Sequence, residues 1–190
     1  MGSRRHRSRL RLLELIERHG PISRAELARM TRLSLPSVSE IVDELVQLKL
    51  VIWVGEGDST GGRPPRLLRF NAERGVTLAA DLSGQSAALG AFLLDGTMLE
   101  KTEVGYSSGQ DAMTTLIEAA GALCRRMRDR GYEVLAMGVA APGVTDPVEG
   151  KVSFAPAVGW WETPVRAQLE SALAIPVVGD NDVNAAALAE

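Results

Sequence analysis

Between Pro21 and Val51 two short helical patterns follow one another, separated only by the polar stretch Thr31 to Ser34. That spacing constrains the chain to a helix-turn-helix. Ser23 stands three residues before Glu26, so the run Ser-Arg-Ala-Glu has the reciprocal side-chain-to-backbone pattern of a capping box and starts a helix over about Arg24 to Met30. Pro36 has no amide hydrogen to donate and suits the first turn of a further helix beginning near Leu35. Along that helix Val38, Ile41, Val42, Leu45 and Leu48 recur at three- and four-residue spacings and define a core face, leaving Ser37, Ser39, Glu40 and Glu44 to point elsewhere. Upstream, Leu10, Leu13 and Ile16 form the stripe of a first helix ending at His19 and Gly20, with Gly20 placed for a left-handed C-terminal cap. Downstream, LVIWV and RLLRF predict two strands joined by GEGDSTGGRPP, a hairpin with a basic tip. Three helices and a hairpin describe a winged helix-turn-helix, whose third helix would lie in the major groove of DNA.

The charge distribution supports a nucleic-acid partner for this part of the chain. Residues 1–75 hold 14 Arg or Lys against 9 Asp or Glu, a net of +5, whereas residues 76–190 hold 7 against 15, a net of −8. Binding responds to the local field, so the acidic total of −3 does not argue against it. The third helix itself carries no arginine, which leaves Ser37, Ser39 and Glu40 to meet base edges, with Glu40 able to accept from cytosine. Ser34 and Pro36, at the head of that helix, join the same candidate set. Arg24, Arg32, Arg63 and Arg66 are the expected phosphate contacts. The dense cluster Arg4, Arg5, Arg7, Arg9 and Arg11 fits a solvated arm as well as it fits direct phosphate contact.

A length of 190 residues with 45% hydrophobic content accommodates two packed cores. A single cysteine, Cys124, excludes an internal disulfide, and with only His6 and His19 no zinc-ligand cluster can be assembled, so neither a metal nor a cofactor is expected. These features fit a reducing cytoplasm. No apolar run approaches membrane-spanning length, and Glu14 and Glu17 interrupt the basic N-terminus that an organelle-targeting helix would need.

Beyond Asn71 the pattern changes period. VTLAADLSG, SAALGAFLLDG and TMLEKTEVGY predict three successive strands in an antiparallel meander. A helix is expected over about Asp111 to Arg130, ended by Gly131, with Met113, Leu116, Ile117, Ala120, Leu123, Cys124 and Met127 on one face. VLAMGVAAPGV and KVSFAP then predict strands, WETPVRAQLESAL a helix, and IPVVGD a strand that delivers Asp180-Asn181-Asp182 to its C-terminal end.

The ordered set PISRAELARMTRLSLPSVSEIVDEL, GGRPP (Gly61 to Pro65), AAPGV (Ala140 to Val144), APAVGW (Ala155 to Trp160) and DNDVNAAALAE (Asp180 to Glu190) spans nearly the whole chain. It resembles the ROK-family transcriptional regulators, within a group of winged-helix repressors and sugar kinases that includes xylose- and N-acetylglucosamine-responsive repressors. The resemblance implies a mixed α/β chain with a winged helix-turn-helix DNA-binding domain over residues 1–72. Residues 73–190 would form the first half of an actin-like, hexokinase-like (ribonuclease H-like) ATPase domain. It also implies that the sequence is truncated within that domain, since relatives continue past this point.

Position by position, Asp182 matches the aspartate that acts as base toward the sugar hydroxyl in kinase members, and Asn181 matches a sugar-hydroxyl ligand. Gly143 belongs to the same implied sugar site. From the residues alone, Asp and Asn at this place equally well cap the helix that follows. Two departures weigh against kinase chemistry. Where kinases have Asp-x-Gly-Gly-Thr as phosphate loop, this chain has Asp81-Leu82-Ser83-Gly84-Gln85, so a backbone-only position gains a side chain and a hydroxyl is lost. The sugar-contacting asparagine of the family is replaced by Ala157. The expectation is therefore a cytoplasmic homodimeric repressor of carbohydrate genes, without enzymatic activity, that binds a double-stranded operator and senses a carbohydrate effector. The alternatives are an ATP-dependent sugar kinase with a DNA-binding extension and a DNA-binding fragment that no longer senses anything.

Overall fold

The computed structural model describes residues 2–57, 64–107 and 109–189. The chain divides into two compact units, Met1–Arg74 and Gly75–Glu190. In the first, α1 (Gly2–His19) buries Leu12, Leu15 and Ile16, while Leu10 is left exposed. The predicted stripe is thus displaced: residues 12, 15 and 16 point inward, and of the three expected positions only Ile16 is fully buried. Gly20 does not adopt the expected left-handed conformation. Its amide donates to the Ile16 carbonyl (2.9 Å), and a Cβ would sit 2.6 Å from that oxygen, so close approach explains the glycine.

The two-residue strand β1 (Ile22–Ser23) leads into α2 (Arg24–Thr31), whose start is the expected capping box. The Glu26 amide donates to Ser23 Oγ (3.2 Å), while the Ser23 amide and hydroxyl donate to Glu26 Oε2 (2.9 and 2.7 Å). Ser23 is 4% exposed, so its polar atoms need these partners. Ser23→Ala is expected to lower stability by about 1 kcal/mol, measured as a shifted urea midpoint. Hydrogen bonds from Ser23, the backbone one foremost, hold the Glu26 carboxyl below the usual glutamate range. A depressed folded-state pKa contributes stability above the unfolded value and loses it as pH falls through the folded one. Alanine keeps the backbone donor and removes only the hydroxyl, so the variant should show a slightly flatter loss of stability in acid than the parent.

Helix α3 (Leu35–Gln47) begins at Ser34, whose side chain accepts from the Ser37 amide, with Pro36 in its first turn. Val38, Ile41, Val42 and Leu45 are buried as expected, but Leu48 lies just past the helix end and is half exposed. Strands β2 (Val51–Glu56) and β3 (Arg66–Phe70) form an antiparallel hairpin, and β1 adds to its far edge in the order β1-β3-β2. Leu68, fully buried, faces both Ile22 and Trp53 across the ladders. Three helices closed by a hairpin make this unit a winged helix-turn-helix.

The second unit opens with the expected meander, β4 (Val76–Leu82), β5 (Ser86–Leu93) and β6 (Met98–Gly105). After α4 (Gly109–Asp129) the chain returns as β7 (Val134–Ala141), parallel to β4. A separate antiparallel sheet follows, built from β8 (Val144–Asp146), β9 (Lys151–Ala155) and β10 (Trp160–Thr163). Then come α5 (Val165–Leu173), β11 (Val177–Asn181), parallel to β7, and α6 (Asp182–Ala189). The helix expected from Trp161 onward starts only after Pro164, because Trp160–Thr163 pairs with β9.

The five-stranded sheet runs β11-β7-β4-β5-β6. Val76, Leu78, Ala80 and Leu82 alternate inward and join one core with Leu116, Leu123 and Met127 of α4 and Leu169 of α5. Small residues on the opposite face, among them Ala79, Ala88, Gly90 and Gly138, line a groove of about 720 Å³.

Candidate nucleic-acid interface and ligand site

The face of α3 turned away from the core carries Pro36, Ser37, Glu40 and Asp43, all exposed, with Ser39 half-buried at its margin. The Ser37 amide donates to Ser34 Oγ (3.3 Å), and the two hydroxyls lie 2.8 Å apart. Ser34 and Pro36 thus set the start of the helix, and Ser37 is held at its mouth. Arg32, in the turn before, occupies the left-handed region at φ 58° as the C-cap of α2 and is exposed.

The acids of α3 are paired with arginines from other elements. Arg5 of α1 donates to Glu40 (2.9 Å) and also to Glu44. The hydrogen bond to Glu44 and the charges of both carboxylates push the guanidinium pKa above its ordinary value. Arg24 of α2 reaches Asp43, and its guanidinium carbon sits 5.0 Å from the centre of the Trp53 ring. Arg66 of β3 lies over the same indole at 4.2 Å. The structure therefore gathers Arg24 and Arg66 around one ring and ties Glu40 to Arg5. Arg63 lies outside the described residues.

Sequence reasoning did not single out Asp43 or Trp53, and it placed Arg5 only within a cluster. The signal was present in α3 itself, which holds Glu40, Asp43 and Glu44 without one basic residue. Such a face needs cations from its neighbours.

In the second unit the parallel strands β4, β7 and β11 bring their C-terminal ends to one edge of the sheet, where open α/β sheets place ligand crevices. That edge collects the expected residues. Asn181 Nδ2 donates to the Gly143 carbonyl (2.7 Å), and Asn181 Oδ1 accepts from the amides of Val183 (2.9 Å) and Asn184 (3.4 Å). Asn181 therefore caps α6 and ties down the β7–β8 turn at once. Asp182 starts α6, half-buried, with Oδ1 accepting from the Val183 amide at 2.9 Å. Asp180 accepts from Asn184 and from the Asn181 amide, and these hydrogen bonds, the Asn184 one foremost, keep its carboxyl below the usual range. Gly143 has φ +90°, and a Cβ there would stand 2.1 Å from the Phe154 carbonyl oxygen.

The Asp81–Gln85 turn lies beside Ala157, whose carbonyl is 3.5 Å from a Cβ built on Gly84. Asp81 is exposed at the end of β4. The Ser83 amide and hydroxyl both donate to the Ser86 carbonyl (2.8 and 3.1 Å). Tyr106, unnoticed in the sequence, donates its hydroxyl to the carbonyls of Ser83 and Ser86, and its amide to Gln85 O (3.0 Å). The turn is closed on itself, and the Ser83 amide does not face outward as a phosphate-cradling loop requires. Among the described residues no group of three or more His, Cys, Asp or Glu is placed to hold a metal ion. No described helix is long and apolar enough to cross a membrane.

Comparison with known proteins matches residues 77–190 to the ROK family and residues 6–63 to the MarR family. The xylose repressor of Bacillus spizizenii is 30% identical over 94% of this chain and 47% of its own length. The glucokinase of Streptomyces coelicolor is 31% identical over 61% of this chain and 35% of its own. Among solved structures, a ROK family transcriptional regulator homologous to the E. coli MLC protein superposes with a TM-score of 0.81 at 24% identity, over 95% of this chain and 46% of that one. The chain spans about half the length of the curated relatives it matches.

Proposed function

Because the chain belongs to the ROK family, we propose that it is a sequence-specific DNA-binding regulator that represses carbohydrate-metabolism genes from the cytoplasm. In this reading residues 1–72 read DNA and residues 73–190 belong to a body that senses a sugar or sugar derivative. The exposed leading face of α3 beside the hairpin carries the proposal. Ser37, Ser39 and Glu40 meet base edges, and a Glu40 contact with cytosine competes with its ion pair to Arg5. Ser34 and Pro36 fix where that helix enters the groove. Arg24, Arg32, Arg63 and Arg66 supply phosphate contacts, and a homodimer presents two such faces to half-sites one helical turn apart.

Binding of labelled duplexes across a salt series tests this. Arg66→Ala is expected to weaken binding to every sequence and to shallow the log–log salt slope by about one contact. Ser37→Ala should instead change preference at particular base pairs, read from competition by a library of duplexes. Equal losses on selected and random DNA would remove Ser37 from the reading role.

For the effector, Asn181, Asp182 and Gly143 form the ligand edge, and calorimetry with a panel of sugars reports whether it is occupied. The second reading, a sugar kinase with a DNA-binding extension, rests on Asp182 at the start of α6, directly after β11, where a carboxylate can take a proton from a sugar hydroxyl. Against it stand Ser83 and Gln85 in the closed turn. Sugar-dependent ATP turnover above background would favour the kinase.

A further inference from the structure

The recognition face contains an apparent contradiction. A helix meant for a polyanion displays Glu40, Asp43 and Glu44 and no cation of its own. By Coulomb's law alone each of these acids opposes binding, and neutralising any one should tighten it.

Asp43 differs from a bystander in what it holds. It takes the guanidinium of Arg24 from the adjoining helix, and that arginine is only 29% exposed while Asp43 is 59% exposed. Arg24 Nε is buried and has no hydrogen-bond partner among the described residues. The side chain is thus fixed from two directions, by the carboxylate and by the Trp53 ring at 5.0 Å. Trp53 belongs to β2, and Arg66 of β3 lies over it at 4.2 Å. One indole therefore connects an arginine at the start of α2 with one at the loop end of the hairpin, where Arg66 pairs with Glu56. Two cations near one ring repel each other, and the ring's negative face together with the Asp43 charge offsets that repulsion.

We propose that Asp43 and Trp53 are positioning residues for DNA contact, holding Arg24 at the rim of the recognition helix and in register with Arg66 of the hairpin. The carboxylate spends its charge on placing a guanidinium where α3 has none. Pre-organised, the arginine gives up little rotamer freedom when it meets a phosphate. This inference rests on the DNA-binding reading above.

The test uses the full chain, a labelled random-sequence duplex and a series of KCl concentrations. Asp43→Asn is expected to weaken binding about threefold and to shallow the salt slope by about one contact, although it removes a negative charge. In an Arg24→Ala background the same Asp43→Asn change should tighten binding about twofold, since only repulsion is left to remove. Trp53→Leu should weaken binding about fivefold, with Trp53→Phe recovering most of the loss because a ring face is restored. A thermal melt of Asp43→Asn matching the parent shows that the effect does not come from lost stability. Tighter binding by Asp43→Asn in both backgrounds, or Trp53→Phe binding no better than Trp53→Leu, would overturn the positioning role. Absence of salt-dependent binding by the unmodified chain would overturn the DNA reading itself, and this inference with it.

Discussion

Gly143→Ala is expected to destabilise the second unit by about 3 kcal/mol or more, summing the left-handed penalty of an L-residue and the cost of overpacking. Gly143 sits at φ +90°, and its missing Cβ would meet the Phe154 carbonyl oxygen at 2.1 Å and the Ala155 Cα at 2.9 Å. Both neighbours are backbone of β9, pinned by ladders to β8 and β10, so no side-chain rotation relieves the contact. The change also pushes on the carbonyl that accepts from Asn181. Urea unfolding followed through Trp160 and Trp161 would show an earlier transition, while the first unit keeps its own. A parental midpoint would mean that β8 and β9 separate at little cost. Family resemblance gives this glycine a place in a sugar site, whereas its geometry gives it an independent duty in the fold. Loss of sugar binding in the alanine variant would therefore not by itself establish a ligand contact.

Leu27→Ala is expected to cost the first unit about 3 kcal/mol, within the range of large-to-small changes in a closed core. Leu27 is fully buried, the one buried side chain of the eight-residue α2, and shares a core with Ile16, Val42 and Leu45. A unit of this size holds only about 0.05 to 0.15 kcal/mol per residue, so the substitution removes a large part of its stability. DNA binding should fall with the folded fraction and recover on cooling or on adding excess duplex. Leu48→Ala is the matched control. Leu48 is 50% exposed, and a change within about 0.5 kcal/mol is expected there. Equal effects at the two leucines would show that the core is not where the structure puts it.

Those two leucines also show how far the sequence reaches. The capping box at Ser23 and Glu26 marks the start of α2, whose one buried residue declares no face, whereas the spacing of apolar residues marks α3 and strand composition marks the hairpin and the meander. Periodicity extends the α3 stripe one turn too far, to Leu48, and chooses Leu10 over Leu12, because a stripe with leucine at positions 10, 12, 13 and 15 fits more than one rotation of the helix. The two-residue β1 has no period to detect, and its pairing with β3 spans more than forty residues of sequence. Trp161–Thr163 does not alternate, so the helical pattern after Pro164 extends back over it in the sequence. The ion pairs fail for a different cause. Arg5 and Glu40 are 35 residues apart and Arg24 and Asp43 are 19 apart, so they meet only once three helices have packed. In the second unit the phosphate-loop departure was legible at Ser83 and Gln85. The Tyr106 hydroxyl that closes that turn reaches it from 23 residues away.

Arg32 bears on how freely the helix-turn-helix could be made more stable. Its φ of 58° puts a long charged side chain where glycine is the comfortable occupant, at a conformational cost of about 1 kcal/mol. A chain built only for rigidity would carry glycine there and lose a cation between its two shortest-spaced helices. Backbone ease and surface charge thus compete for a single position. Stabilising substitutions in this turn should be judged by what they do to DNA affinity, since the two properties are expected to move in opposite directions.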